Sequence, residues 1–145
     1  MERTISGMMG KGSVNHNTRA FSAKNVDKER SRDNVEFCHE DIKAVYHELF
    51  DEALERYNAK QKRSDRKIEN YYEKIRQGKQ EKLFYEVIFQ IGNRDDMNVR
   101  SEEGQLAKQI LSDFMADFQS RNPNLHVFSA HLHMDEETPH IHIDF

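Results

Sequence analysis

The chain has 145 residues, 36% of them apolar, which is the size of one domain with a modest core, and it carries no apolar run near the length of a membrane span. The opening MERTISGMMGKGS lacks the apolar stretch of a secretory signal, and the single cysteine, Cys38, excludes an internal disulfide, so a cytoplasmic protein is expected. The net charge of −4 does not mark a nucleic-acid binder, yet residues 1–34 hold seven Lys/Arg against four Asp/Glu, and residues 60–82 hold nine against four.

Gly7, Gly10 and Gly12 break any helix at the N-terminus, which reads as a short strand and then a loop. From Glu40 to about Lys62, apolar residues from Ile42 to Tyr57 recur at three- and four-residue spacing, the mark of an amphipathic helix. A second, more polar helix is expected over roughly Asp65 to Arg76, ending near Gly78. In KLFYEVIFQIG, Leu83, Tyr85, Val87, Phe89 and Ile91 alternate as in a strand. Ser101 offers an N-cap to a helix whose stripe is Leu106, Ile110, Leu111, Phe114 and Phe118, stopped by Asn122-Pro123. LHVFSAHLHM and PHIHIDF both alternate and are expected to be strands joined by a turn at DEET. The order strand, helix, strand, helix, strand, strand predicts an α+β fold with a mainly antiparallel sheet flanked by helices.

The last thirteen residues, HMDEETPHIHIDF, concentrate metal-ligand chemistry. Residues two apart on a strand share a face, so His140 and His142 point one way while Ile141, Ile143 and Phe145 point the other. His131 and His133 share a face in the same manner, and a hairpin brings His133 opposite the His140/His142 pair. Three or four imidazoles can therefore converge on one ion. An isolated strand histidine is ordinarily satisfied by hydrogen bonds, but several phased on one face, beside Asp135 and Glu136, repel on protonation unless a metal holds them. Imidazole softness leaves zinc, iron, nickel, copper and manganese open. Without cysteines nearby or a helical H-E-x-x-H, neither a structural zinc finger nor a zincin protease fits.

The stretch from His133 through Asp135, Glu136, Thr138, Pro139 and His140 to His142 resembles the H-x-D-E-x-T-P-H-x-H motif of the MobV/Pre relaxases of plasmids and integrated elements. His16-Asn17-Thr18-Arg19 resembles the family's H-N-x-R motif. Asn34-Val35-Glu36-Phe37 is similar to a third family motif but has Val where an aromatic is usual. The resemblance runs from about residue 3 to 145, and such domains continue past the histidine motif, so residues 1–145 read as a single relaxase domain truncated at its C-terminus.

The resemblance implies an HUH-relaxase-like fold and an enzyme that nicks one strand at an origin of transfer, stays attached to the 5′ end, and rejoins it. It implies His133, His140 and His142 as metal ligands, Glu136 as their support, and Mn²⁺ or Mg²⁺ as the ion. His16 would be the nucleophile, and Arg19 could clamp the scissile phosphate or balance charge in the transition state. A neutral histidine can attack phosphorus without a separate base. Asn17, Arg30, Arg32 and Asn34 are candidate DNA contacts, origin DNA that is single-stranded at the nick is the expected partner, and transfer-complex proteins are further candidates. The sequence does not set the oligomeric state. Two competing functions are a non-catalytic origin- or promoter-binding module of the same fold and a metal hydrolase of small phosphoesters; the second is disfavoured by the lack of another carboxylate cluster.

Overall fold

In a computed structural model that describes residues 3–145, five strands form one antiparallel sheet. They are β1 (Ile5–Met9), β2 (Val35–His39), β3 (Glu86–Ile91), β4 (Ser129–His133) and β5 (His140–Asp144), in the order β1-β3-β5-β4-β2. The helices are α1 (Val14–Asn17), α2 (Ile42–Ala59), α3 (Tyr71–Gln77), α4 (Glu102–Ala116) and α5 (Phe118–Arg121). The chain divides into two compact units. One contains all five strands and runs up to His39 and again from Tyr85 to Phe145; the other is Glu40–Phe84.

The predicted α+β class and antiparallel sheet are borne out. Strand alternation gives the sheet two unlike faces. Ala130 and Leu132 of β4 and Ile141 and Ile143 of β5 are fully buried in a core completed by Ala107, Leu111, Met115 and Phe118 from α4 and α5. The alternate residues, His131 and His133 on β4 and His140, His142 and Asp144 on β5, line the opposite face. A one-residue slip would exchange the two sets, so burial of the apolar face fixes where the histidines stand.

Three expectations need correction. The strand β2 is absent from the predicted order, because a register shift between Glu36 and Cys38 breaks its alternation. The second helix starts at Tyr71, where Asn70 accepts a hydrogen bond from Glu73 N; Ser64–Arg66 is an isolated 3-10 turn. On α4, Leu106 and Ile110 are exposed, and the buried stripe is Gly104, Ala107, Leu111 and Met115. Small residues bring the helix close to its neighbours, and a methyl group at Gly104 would overlap the Asn98 carbonyl oxygen.

Within the second unit, Asn58 exchanges hydrogen bonds with Ile68 N and O, tying α2 to the segment before α3. Tyr71 and Tyr72 join Tyr46 and Phe50 in an aromatic cluster, with Phe50 and Tyr71 rings 5.0 Å apart. That placement accounts for the tyrosine pair as packing. Among the described residues, no helix is long and apolar enough to cross a membrane.

Candidate metal centre

β4 and β5 are paired with His133 directly opposite His140, and His131 opposite His142. The rings of His133, His140 and His142 gather with centroids 5.2 Å (133–140), 4.8 Å (133–142) and 5.1 Å (140–142) apart. Carbonyl oxygens fix two of the tautomers, since a carbonyl can only accept. His133 donates from Nε2 to Asn17 O at 2.8 Å, which leaves the lone pair on Nδ1. His140 donates from Nδ1 to Thr138 O at 2.8 Å, which leaves the lone pair on Nε2. His133 Nδ1 is buried without a hydrogen-bond partner, and so is His142 Nε2. Buried nitrogens without partners are costly unless an ion takes their lone pairs.

His16 reaches the same place from α1. Its ring centroid is 5.8 Å from that of His133 and 5.9 Å from that of His142. Arg19 Nη1 lies 3.3 Å from His16 Nε2. Guanidinium can only donate, so this nitrogen carries the lone pair and the ring is neutral. Burial, then the charge of Arg19, lowers the His16 pKa below the usual histidine value. Burial likewise pushes His133 down to about 2 and lowers His140.

Asp135 anchors the loop over the site. Its fully buried carboxylate accepts from Arg19 Nε (2.9 Å) and Nη2 (2.5 Å), Ser31 Oγ (2.7 Å) and Asn34 Nδ2 (2.7 Å). Burial alone would raise its pKa, but these donors hold it well below the ordinary carboxylate range. Arg19 Nη2 also donates to Glu136 Oε1 at 2.8 Å, and Asn25 Nδ2 donates to Glu136 Oε2 at 3.0 Å. Glu136 is thereby held 4.0 Å from His133 Nδ1 and 3.8 Å from His140 Nε2.

Behind His142 lies a buried pair of carboxylates, Glu86 and Asp144, bridged by Asn17 Nδ2 at 2.6 and 3.1 Å. Burial and the neighbouring Glu86 raise the Asp144 pKa, while His142 and Asn17 outweigh burial and lower that of Glu86. In front of the histidines is an open pocket of about 530 Å³, lined by His16, Glu136, His140 and His142. At this site, two sets of side chains bring ligand atoms within 4.8 Å of one another: His16, His133 and His142, and His133, Glu136 and His140. Orphaned imidazole nitrogens, a carboxylate and an open side suit a divalent ion with room for a further ligand.

The family model for plasmid recombination enzymes, Mob_Pre, matches residues 9–145. The chain belongs to the Mob_Pre family. Comparison with curated proteins gives no match. Among solved structures, the chain is similar to Mn-bound crystal structures of the MobM relaxase domain (MOBV; Mob_Pre) bound to plasmid pMV158 oriT DNA. With the 22-nucleotide DNA carrying a 3′ thiophosphate at pH 6.8, identity is 21% and the TM-score 0.55; with the 22-nucleotide DNA at pH 5.5, they are 22% and 0.54. Each comparison covers 97% of this chain and 68% of that one, and at such identity it shows a shared fold.

In this Mob_Pre chain His16, His133, Glu136, His140 and His142 come together, as the resemblance implies. Other expectations change. Arg19 directs every N–H of its guanidinium at Asp135, Glu136 or the His16 ring and carbonyl, so it has no donor left to clamp a phosphate. Asn17 is buried and bound to carboxylates, and Asn34 links Asp135 to Met134 N, so neither is placed to touch DNA. Arg30 is engaged by Asp27 and the Glu136 carbonyl. Arg32 is exposed and has no hydrogen bond or ion pair among the described residues. His131 does not join the cluster; it sits between Ser129 and Glu36. The structural parts of Asp135, Glu86 and Asp144 went unread in the sequence, although Asp135 lies inside the matched motif and Asp144 continues the alternation of His140 and His142.

Proposed function

We propose that this chain is a relaxase, a metal-dependent enzyme that nicks one strand of origin-of-transfer DNA by transesterification and later rejoins it. What carries this reading is the gathering of the His133, His140 and His142 rings, centroids 4.8–5.2 Å apart and with buried nitrogens on His133 and His142 left without partners, beside His16 in an open pocket of a Mob_Pre fold. His133 Nδ1, His140 Nε2 and His142 Nε2 would hold the ion, and Glu136 would supply an oxygen or orient a ligand. The Mn-bound MobM relatives, on oriT DNA, make Mn²⁺ the first ion to test, with Mg²⁺ second. A bound ion supplies Lewis-acid polarisation of the scissile phosphate.

The chain's own residues supply the rest. Burial and Arg19 disfavour protonation of His16, so its Nε2 lone pair, which accepts from Arg19 Nη1 here, can serve as nucleophile at cytoplasmic pH once that hydrogen bond gives way. A nitrogen–phosphorus bond forms to the 5′ phosphate, the bond to the 3′ oxygen breaks, and the phosphoramidate conserves the energy needed for the reverse step. Arg19 acts as an orienting residue, holding the His16 ring against Glu136. Arg32 and the cations of residues 60–82 provide phosphate contacts outside the pocket.

His16→Ala is expected to abolish the covalent DNA adduct while leaving Mn²⁺ affinity within about twofold. The wild-type adduct should be acid-labile, as a phosphoramidate is. An adduct that survives in His16→Ala would overturn the assignment of the nucleophile. Metal-independent DNA binding without any cleavage by the wild-type chain would favour a binding module instead.

A further inference from the structure

Glu86 is fully built into the floor of the site, and nothing in the mechanism above uses it. Its side chain is buried at 4% exposure. Oε2 lies 3.2 Å from His142 Nδ1 and accepts from Asn17 Nδ2 at 2.6 Å. Apart from that carboxylate, neither ring nitrogen of His142 has a hydrogen-bond partner. Oε1 accepts from Gly12 N at 3.3 Å, and the backbone carbonyl of Glu86 accepts from Gly10 N at 2.9 Å. A methyl group at Gly10 would overlap Oε1, so the glycine loop and the carboxylate fit only while residue 10 has no side chain.

These contacts reach two imidazoles on different strands. A carboxylate facing Nδ1 favours the tautomer with its proton there, which leaves the lone pair of His142 on Nε2. The same carboxylate holds Asn17, and Asn17 O in turn holds His133 through Nε2 at 2.8 Å, leaving the His133 lone pair on Nδ1. We propose that Glu86 is a positioning residue that sets the tautomer of His142 and, by anchoring Asn17, places the carbonyl that fixes the tautomer of His133, so that both lone pairs face the site, and that Gly10 is needed to seat it. It touches neither the pocket nor a reacting atom, so its effect runs through those two rings. The part of this inference that concerns metal rests on the relaxase reading; the tautomer part does not.

The test is nitrogen-15 NMR of the imidazoles in the metal-free 145-residue chain, with Mn²⁺ titrations in parallel, for wild type, Glu86→Gln and Gly10→Ala. In wild type, His142 should carry its proton on Nδ1 and His133 on Nε2. In Glu86→Gln an amide N–H can face His142, so the exclusive Nδ1–H form should be lost and Mn²⁺ affinity should fall about 10–100-fold. Gly10→Ala should shift the same two rings in the same direction, though residue 10 contacts neither. An Nε2–H tautomer for His142 in wild type would overturn the proposal, and so would tautomers and affinity unchanged in Glu86→Gln. Should both variants fail to fold, the wild-type tautomers alone decide it. A wild type with the expected tautomers but no Mn²⁺ binding would defeat the relaxase reading and leave the role of Glu86 standing.

Discussion

Arg19 occupies the left-handed region of backbone space at φ 59°, which costs a residue with a Cβ about 1–2 kcal/mol. The turn it makes brings the guanidinium back onto Asp135, Glu136 and His16, and those charge-assisted bonds offset the strain. The site is thus held by acids and bases whose proton affinities the fold has moved, and acidification should weaken the metal-free fold in two successive steps. His16, His133 and His140 have folded pKa values below that of the unfolded chain, so unfolded molecules bind protons that folded ones refuse. These three rings should therefore lower the stability of the metal-free chain as pH drops below about 6.5, against the opposing contribution of Asp144, whose raised pKa lets the folded chain take up a proton. Asp135 has a depressed folded pKa; its contribution is present above about pH 4 and is lost only on further acidification. Urea midpoints at pH 7, 6 and 5 should decline, and His133→Asn should reduce the slope by up to about 1.4 kcal/mol per pH unit. An unchanged slope in that variant would mean that His133 is not buried as a neutral ring.

At the scale of elements, what could be read from the sequence was whatever repeats with a regular period. β4 and β5 alternate cleanly, so their histidine face is legible in the sequence alone. β2 was not, because its bulge puts two residues against one and its five residues carry no steady alternation. The hub at Asp135 was illegible for another reason: Arg19, Ser31 and Asn34 lie some hundred residues away in the chain, and only folding makes them neighbours. On α4 the large apolar residues misled, since Leu106 is 56% exposed while Gly104 and Ala107 face inward. Gly104→Ala makes the point testable. Helix propensity alone would have it stabilise α4 by about 1 kcal/mol. The added methyl would overlap the Asn98 carbonyl oxygen, a backbone atom that cannot swing aside, so a loss of about 1–3 kcal/mol is expected in urea denaturation. A gain would show that the loop before α4 yields freely.

For the whole molecule, the decisive fact is that one compact unit is discontinuous, with the second unit, Glu40–Phe84, inserted between β2 and β3. Every side chain of the candidate metal centre belongs to the discontinuous unit: His16 and Arg19 before the insertion, Glu86, His133, Glu136, His140 and His142 after it. A ligand that binds only the folded site stabilises whatever must be folded to form it, by about 2.7 kcal/mol at a hundred times Kd. Saturating Mn²⁺ should therefore slow amide hydrogen exchange in β3, β4 and β5, whose ladders carry the site. The amides of α2 and α3, in the unit that contributes no ligand, should exchange at unchanged rates. His140→Ala should erase the protection in the strands and leave the α2 and α3 rates as they were. Equal Mn²⁺-dependent slowing in both units would mean that they unfold as one, and the division drawn from their internal packing would not describe how the protein opens.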